Sequence, residues 1–453
     1  MVGISATVAA FVHAPPAMPD AVILAGRRSL INMVGTAIGG SGEAAIDKLA
    51  ALLPAFSGPP TNTLIGRPER ADMLWAAYIN AASANIFDYD DTHIPTVIHP
   101  SAPVGPAVLA LAETLASEGR PVDGRALIEA FVLGAEVTCR LGNALHPVHY
   151  ARGWHITSTC GVFGAAMAAG RLLGLSPSQL VDALGHALAQ GAGSVETLGT
   201  MSKSLSVGQA ARGGLMAALL AADGYTGPEE PLEGKRGFLA LHSDTPDYAA
   251  ITGELGSRWE ILNNTFKPYP CGVVLNPVIE ACLALHAKGG FSTTDIMSVE
   301  LTGHPLLRQR TDRPGVTSGR LAQVSAQHAV AVSLVHGRAD LAAFSDKAVA
   351  DTETRALGDK LTFRDDPTSA LDSVQIRLLM TDGREILNVI TAAKGGLGDP
   401  LSDTDLAEKF RDQIAWRRVL LDGDELIATL EELDHAIDGA VFLRKTQPAI
   451  FRE

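Results

Sequence analysis

A mainly helical protein with a smaller α/β part is predicted for this 453-residue chain by three observations. Apolar residues recur with helical spacing in segment after segment from residue 19 to about 255. After Trp259 the texture turns to alternating extended and helical stretches, and the tail returns to helical spacing. Gly and Ala dominate the apolar share while aromatics supply only 5%. That balance suits close helix packing through small side chains rather than an aromatic-rich β architecture.

In chain order, the spacing predicts helices over 20–38, 43–54, 71–86, 103–118, 124–143, 158–173, 178–190 and 204–222. Ser176 is a natural N-cap there, with Pro177 as the first helical residue. Extended segments are predicted at 261–270, 297–304 and 372–390, the last turning at Asp382-Gly383, a hairpin dipeptide. Helical patterns at 275–287, 321–336 and 343–354 lie between them, and 403–435 is helical and charged. A chain of this length exceeds what one core organises. The predicted division is a helical domain over 1–265 and 401–453 and an α/β domain over 266–400.

The net charge of −14, with no Lys/Arg run, argues against a nucleic-acid partner. It does not exclude an acidic ligand, because a few local cations and helix N-termini suffice to hold one. Cys139, Cys160, Cys271 and Cys282 show neither a CxxC pair nor metal-ligand spacing. Reduced cytosolic thiols are expected, with no disulfide and no metal. Residues 1–25 lack a basic leader, and no run of 18 apolar residues follows, so a cytoplasmic protein without a membrane span is expected.

Four polar segments stand out. Asn85-Ile-Phe-Asp88-Tyr-Asp90-Asp91-Thr92-His93, followed by His99-Pro-Ser101, crowds three carboxylates that need compensation and sets two histidines beside them. It is either a solvated loop after a helix or the rim of a site. Arg152-Gly-Trp-His155-Ile-Thr157-Ser158-Thr159 opens a Gly/Ala helix whose free amides suit an anion; a plain cap is the alternative. Lys203 lies in the first turn of another small-residue helix, where a cation opposes the helix dipole. Lys267 sits between Phe266 and Pro268 near the predicted domain boundary, in either a hinge aimed at a ligand or a rigid linker.

In this order and spacing, these segments resemble the MmgE/PrpD superfamily of 2-methylcitrate dehydratase, cis-aconitate decarboxylase and iminodisuccinate epimerase. The stretches AAYINAASANIFDYDDTH, GWHITSTCGVFGAAMAAGRLLGL, KSLSVGQAARGG and FKPYPCG carry the likeness, which covers most of the chain. The resemblance implies a large all-helical domain built from both chain ends, a smaller α/β lid domain, an active site between them, a homodimer, and neither metal nor organic cofactor. By motif it implies catalytic positions at Asp88, His99, His155 and Lys203, with Thr92 and Lys267 on the substrate. Arg152, Thr157 and Ser158 join the substrate-binding set through the residue pattern around His155. Asn85, Ser206, Gly272 and Asn276 depart from the family, standing where members often carry His.

The activity so implied is acid/base dehydration or hydration of a small di- or tricarboxylic hydroxy acid. Its alternatives are decarboxylation or epimerisation of a related dicarboxylate, or a catalytically altered binding protein of the same fold. A magnesium-dependent prenyl-diphosphate enzyme would need a second Asp-rich motif, which the sequence lacks.

Overall fold

The computed structural model describes residues 3–448. Two compact units emerge. One takes the chain up to Ile86, Asp90–Asn264 and the tail from Leu406; the other takes Phe87–Tyr89 and Thr265–Asp405.

The first unit is helical. Its principal helices are α1 (Ile4–His13), α2 (Asp20–Gly40), α3 (Met73–Asn85), α4 (Ser101–Ser117), α5 (Gly124–Leu145), α6 (Ile156–Leu172), α7 (Pro177–Leu188) and α8 (Ser202–Ala222). Local chemistry sets several starts: Asp72 and Asp123 cap α3 and α5, and Ser176 with Gln179 forms a full capping box on α7. Helix α6 lies at the centre, packed against α4, α5, α7 and α8 and buried at every residue from Ile156 to Gly170. Glycine makes that possible. A Cβ on Gly164 would stand 1.9 Å from Thr138 Oγ1 and 2.4 Å from the Gly134 carbonyl oxygen, so α5 and α6 meet backbone to backbone.

A buried ionic chain fastens the segment 250–260 to α5. Arg140 Nε donates to Glu136 Oε1 at 2.6 Å, and its other nitrogens donate to the carbonyls of Ile251, Gly253 and Arg258. Glu136 in turn accepts from the Glu260 amide at 2.7 Å. In the tail, Phe410 packs over Gly35 of α2, and helix Gly423–Glu431 lies against α2. Helices α2 and α8 have the length and apolar content of a membrane span, but 72% and 56% of those windows is buried within the structure.

The second unit is α/β. Strands β1 (Ile296–Gly303), β2 (Leu361–Asp365), β3 (Val374–Met380) and β4 (Glu385–Ile390) form one sheet in the order β2-β1-β3-β4. The β1–β2 pair is parallel, with Val299 opposite Leu361, and the other pairs are antiparallel. Gly383, at φ +86°, turns the β3–β4 hairpin where the Asp-Gly dipeptide predicts it. Helix α9 (Asn276–Lys288) packs on β3 and β4, followed by α10 (Ala326–His336) and α11 (Thr352–Gly358). Val299, Leu301, Ile376 and Leu378 share a core with Val278, Ile279, Cys282 and Val330.

The sequence reading differs from the structure in a few elements. Strand β2 is absent from the reading, and so is α1. The predicted helix over 43–54 breaks into Ala44–Ala50 and Leu53–Phe56. The start of the extended stretch at 261–270 is a 3-10 turn, Glu260–Asn263.

Candidate functional site

In the helical unit, three helix starts that carry sequence-predicted residues are hydrogen-bonded to one another. Just before α4, the His99 amide donates to Thr157 Oγ1 in the first turn of α6, at 3.1 Å. At the N-cap of α6, His155 Nδ1 lies 3.2 Å from Ser206 Oγ in the first turns of α8. Helices α4, α6 and α8 also pack pairwise. Lys203, three residues before Ser206, is only 7% exposed, whereas a lysine usually lies largely in water.

His99 is oriented through its backbone surroundings. Nδ1 is 2.7 Å from the Asp91 carbonyl oxygen, 3.4 Å from Thr92 Oγ1 and 3.5 Å from Asp90 Oδ1. A carbonyl oxygen only accepts, so in the neutral ring the proton sits on Nδ1 and the lone pair on Nε2. Asp90 is fully buried and accepts from Asn85 Nδ2 at 2.6 Å. Asp90 with His99 sets a carboxylate beside an imidazole, donor chemistry with which a metal site can begin.

Asp91 anchors this loop. Its carboxylate accepts from Ser101 Oγ, at the start of α4, and from Asn264 Nδ2 at 2.5 Å. Burial pushes its pKa up to about 7 in spite of those two donors. The loop is also strained. Val97 adopts φ +56°, a left-handed conformation that a β-branched residue takes only under constraint. The constraint is visible as paired backbone bonds, from the Val97 amide to the His93 carbonyl and from the His93 amide to the Ile98 carbonyl, each 2.8 Å.

The two histidines of the acidic segment, alike in sequence, separate by environment. His93 is wholly buried, with Nδ1 2.8 Å from Thr96 Oγ1 and Nε2 3.1 Å from Glu260 Oε2. Burial would raise the Glu260 carboxyl, but His93 and Arg258 outweigh it and hold the pKa at about 2. His93 is thereby a structural partner, whereas His99 has its Nδ1 on a backbone carbonyl.

Around His155 the remaining predicted residues sort differently. Ser158 Oγ is 3.1 Å from His155 Nδ1, and Gly193 runs directly over it: a Cβ there would stand 2.0 Å from Ser158 Oγ, at φ +144°. The Gly193 carbonyl accepts from the His155 amide at 3.1 Å. Arg152 does not join this group. It pairs with the exposed Asp244 carboxylate and is itself 37% exposed.

In the α/β unit, Asp88 and Lys267 are brought together. Lys267 is buried, its Nζ 2.8 Å from the Asp88 carbonyl oxygen and 3.2 Å from Asp88 Oδ2. Asp88 takes φ +54°, which Asp tolerates better than most residues. Tyr89 Oη donates to the Pro268 carbonyl and Gln323 Nε2 to the Phe87 carbonyl, so the tripeptide is tied in at every residue. Sequence reasoning missed the anchoring roles of Asp91, Ser101 and Asn264. Only the position of Ser101 at a helix start carried a local signal for them.

Comparison with known proteins bears on the same segments. Residues 6–250 match the model of the MmgE/PrpD N-terminal domain, and residues 269–430 that of the MmgE/PrpD C-terminal domain. A cis-aconitate decarboxylase from Mus musculus is 26% identical over 441 residues, 94% of this chain and 89% of the relative. One from Aspergillus terreus is 28% identical over 386 residues, 79% of this chain and 78% of the relative. A 2-methylcitrate dehydratase from Cupriavidus necator is 26% identical over 431 residues, 86% of this chain and 85% of the relative.

Proposed function

Since the chain belongs to the MmgE/PrpD family, we propose that it is a lyase that uses its own acids and bases on a small di- or tricarboxylate, moving a proton at a carbon beside a carboxylate. The observation that carries this reading is the hydrogen-bonded junction of three helix starts bearing His99, His155 and the buried Lys203. Helix N-termini and an ammonium suit carboxylates, and they stabilise the negative charge that develops when carbon gives up a proton or CO2. The imidazoles supply groups that gain and lose a proton near neutral pH.

Decarboxylation of an unsaturated tricarboxylate of the cis-aconitate type is the leading reaction, supported by the names of the mouse and Aspergillus relatives. The bond from carbon to the departing carboxylate breaks, CO2 leaves, and the electron pair left on carbon is taken up by a proton from an imidazolium. The name of the Cupriavidus relative favours a second reading, loss of water from a hydroxy acid. There one base removes the proton beside a carboxylate and one acid protonates the leaving hydroxyl.

Incubation with cis-aconitate and with 2-methylcitrate in D2O, followed by NMR, tests both. Turnover or deuterium uptake at a carbon beside a carboxylate is expected; neither with either compound would refute the proposal. In the same assay, prolonged EDTA treatment should leave the rate unchanged. Loss of activity that returns with a divalent ion would instead assign Asp90 and His99 to a metal.

Lys203→Ala should weaken turnover or binding about 10- to 100-fold, the equivalent of a charge-assisted hydrogen bond of roughly 1.5–3 kcal/mol, with an unchanged melting curve. Wild-type kinetics in this variant would remove Lys203 from the site.

A further inference from the structure

We propose that the α/β unit carries a ligand site of its own, in a cavity lined by α10 and α11, and that this site takes a small α-amino acid as its zwitterion. The inference goes beyond the lyase reading and uses none of its residues.

The cavity has a volume of about 230 Å³ and is formed by residues of the α/β unit alone. Sites for drug-sized ligands span about 300–1,000 Å³, so this one suits a small metabolite. Val316 and Val349 give it apolar wall, and the start of α10 and the end of α11 supply polar groups.

Two charges of opposite sign decide the ligand's chemistry. Arg355 and Asp359 stand one turn apart at the end of α11, both exposed and both lining the cavity. Oppositely charged side chains at that spacing can pair, yet these two form no ion pair among the described residues. Arg355 instead donates from Nε to the Val349 carbonyl at 2.8 Å, which anchors the guanidinium and leaves its Nη edge for a carboxylate. A purely anionic ligand would meet Asp359, and a purely cationic one Arg355. A ligand that carries both charges answers both.

His328 lines the same cavity although it is only 5% exposed. Its Nε2 lies 2.8 Å from the Ala343 carbonyl oxygen, which can only accept, and burial lowers its pKa, so the neutral ring carries its proton on Nε2. Nδ1, which then holds the lone pair, has no hydrogen-bond partner among the described residues. A buried acceptor left without a donor is costly, and an ammonium N–H would supply one. Ser325 donates to the Arg313 carbonyl, Gln327 to Asp312 and Thr354 to Asp351, bonds that fix the cavity's walls before any ligand arrives.

The test is ligand-observed saturation-transfer NMR on the full-length protein, with L-valine and L-threonine as probes of the mixed apolar and polar lining. Ligands with so few atoms bind in about the millimolar range, so the titration runs to about 20 mM. Saturable binding of at least one amino acid is expected. For valine, isovalerate lacks the ammonium and isobutylamine lacks the carboxylate, and each should bind about 10-fold more weakly or worse. Arg355→Gln and Asp359→Asn should each weaken amino-acid binding by about 10-fold or more with an unchanged melting curve, and Lys203→Ala, in the helical unit, should leave it unaltered. No saturation by either amino acid, an analogue that binds as tightly as valine, binding untouched by the two cavity variants, or binding lost in Lys203→Ala would overturn the inference. None of these readings needs turnover, so failure of the proposed lyase reaction would be a separate result.

Discussion

His155→Gln should reduce kcat about 100- to 10,000-fold, the range that general acid/base catalysis contributes. Glutamine keeps much of the imidazole's length and polarity, and its amide can still meet the Ser158 and Ser206 hydroxyls that lie 3.1 and 3.2 Å from Nδ1. It cannot carry a proton back and forth. The loss should therefore appear in kcat, with KM changed only a few-fold, and the melting temperature should stay close to that of the wild type. Steady-state kinetics on whichever carboxylate the wild type converts, paired with thermal unfolding, reads both. A variant that retains more than a tenth of wild-type kcat would assign the proton transfer elsewhere, His99 being the next residue to replace.

Arg140→Met should cost about 3–5 kcal/mol of stability, the usual penalty for leaving one member of a buried ion pair alone. Arg140 is 1% exposed. Its removal strands the Glu136 carboxylate, 2.6 Å away, together with the carbonyls of Ile251, Gly253 and Arg258 that it caps. The consequence extends to the loop before α4, because Glu136 accepts from the Glu260 amide and Glu260 holds His93. Chemical denaturation should show the lowered midpoint. Adding Glu136→Gln should recover part of the loss, since the stranded charge is then gone. Equal stability of Arg140→Met and the wild type would mean that the pair contributes nothing net.

Much of the helical architecture is legible because its signals are local. The capping box of Ser176 and Gln179, Pro177 at the first helical position and the Asp382-Gly383 turn each occupy a few neighbouring residues and appear where expected. Strand β2, LTFRD, was illegible for the opposite reason. It is short and charged, and it exists because β1 offers a parallel partner some 60 residues away, with Val299 opposite Leu361. Two histidines six positions apart look equivalent until Glu260, 167 residues beyond His93, takes one of them. The Glu136/Arg140 pair had a readable i,i+4 spacing, but its burial did not. Residue patterns placed Arg152 beside a ligand, and its partner is Asp244 on the surface. Ser206 was noticeable only as a departure, and its relation to His155 required the packing of α6 on α8.

Helix α6 has no outward side, and that has a consequence for how the molecule breathes. Segments open to water in order of how little they bury. Amides in the stretch from Ile156 to Gly170, wrapped on all faces, should be among the last to exchange with deuterium, waiting for opening of the whole helical unit. His155 stands at the N-cap position of this helix, so the candidate proton carrier should be mounted on one of the slower clocks in the fold. Warming should loosen the exposed turns long before it disturbs the geometry at that imidazole, and loss of activity on heating should coincide with global unfolding rather than precede it.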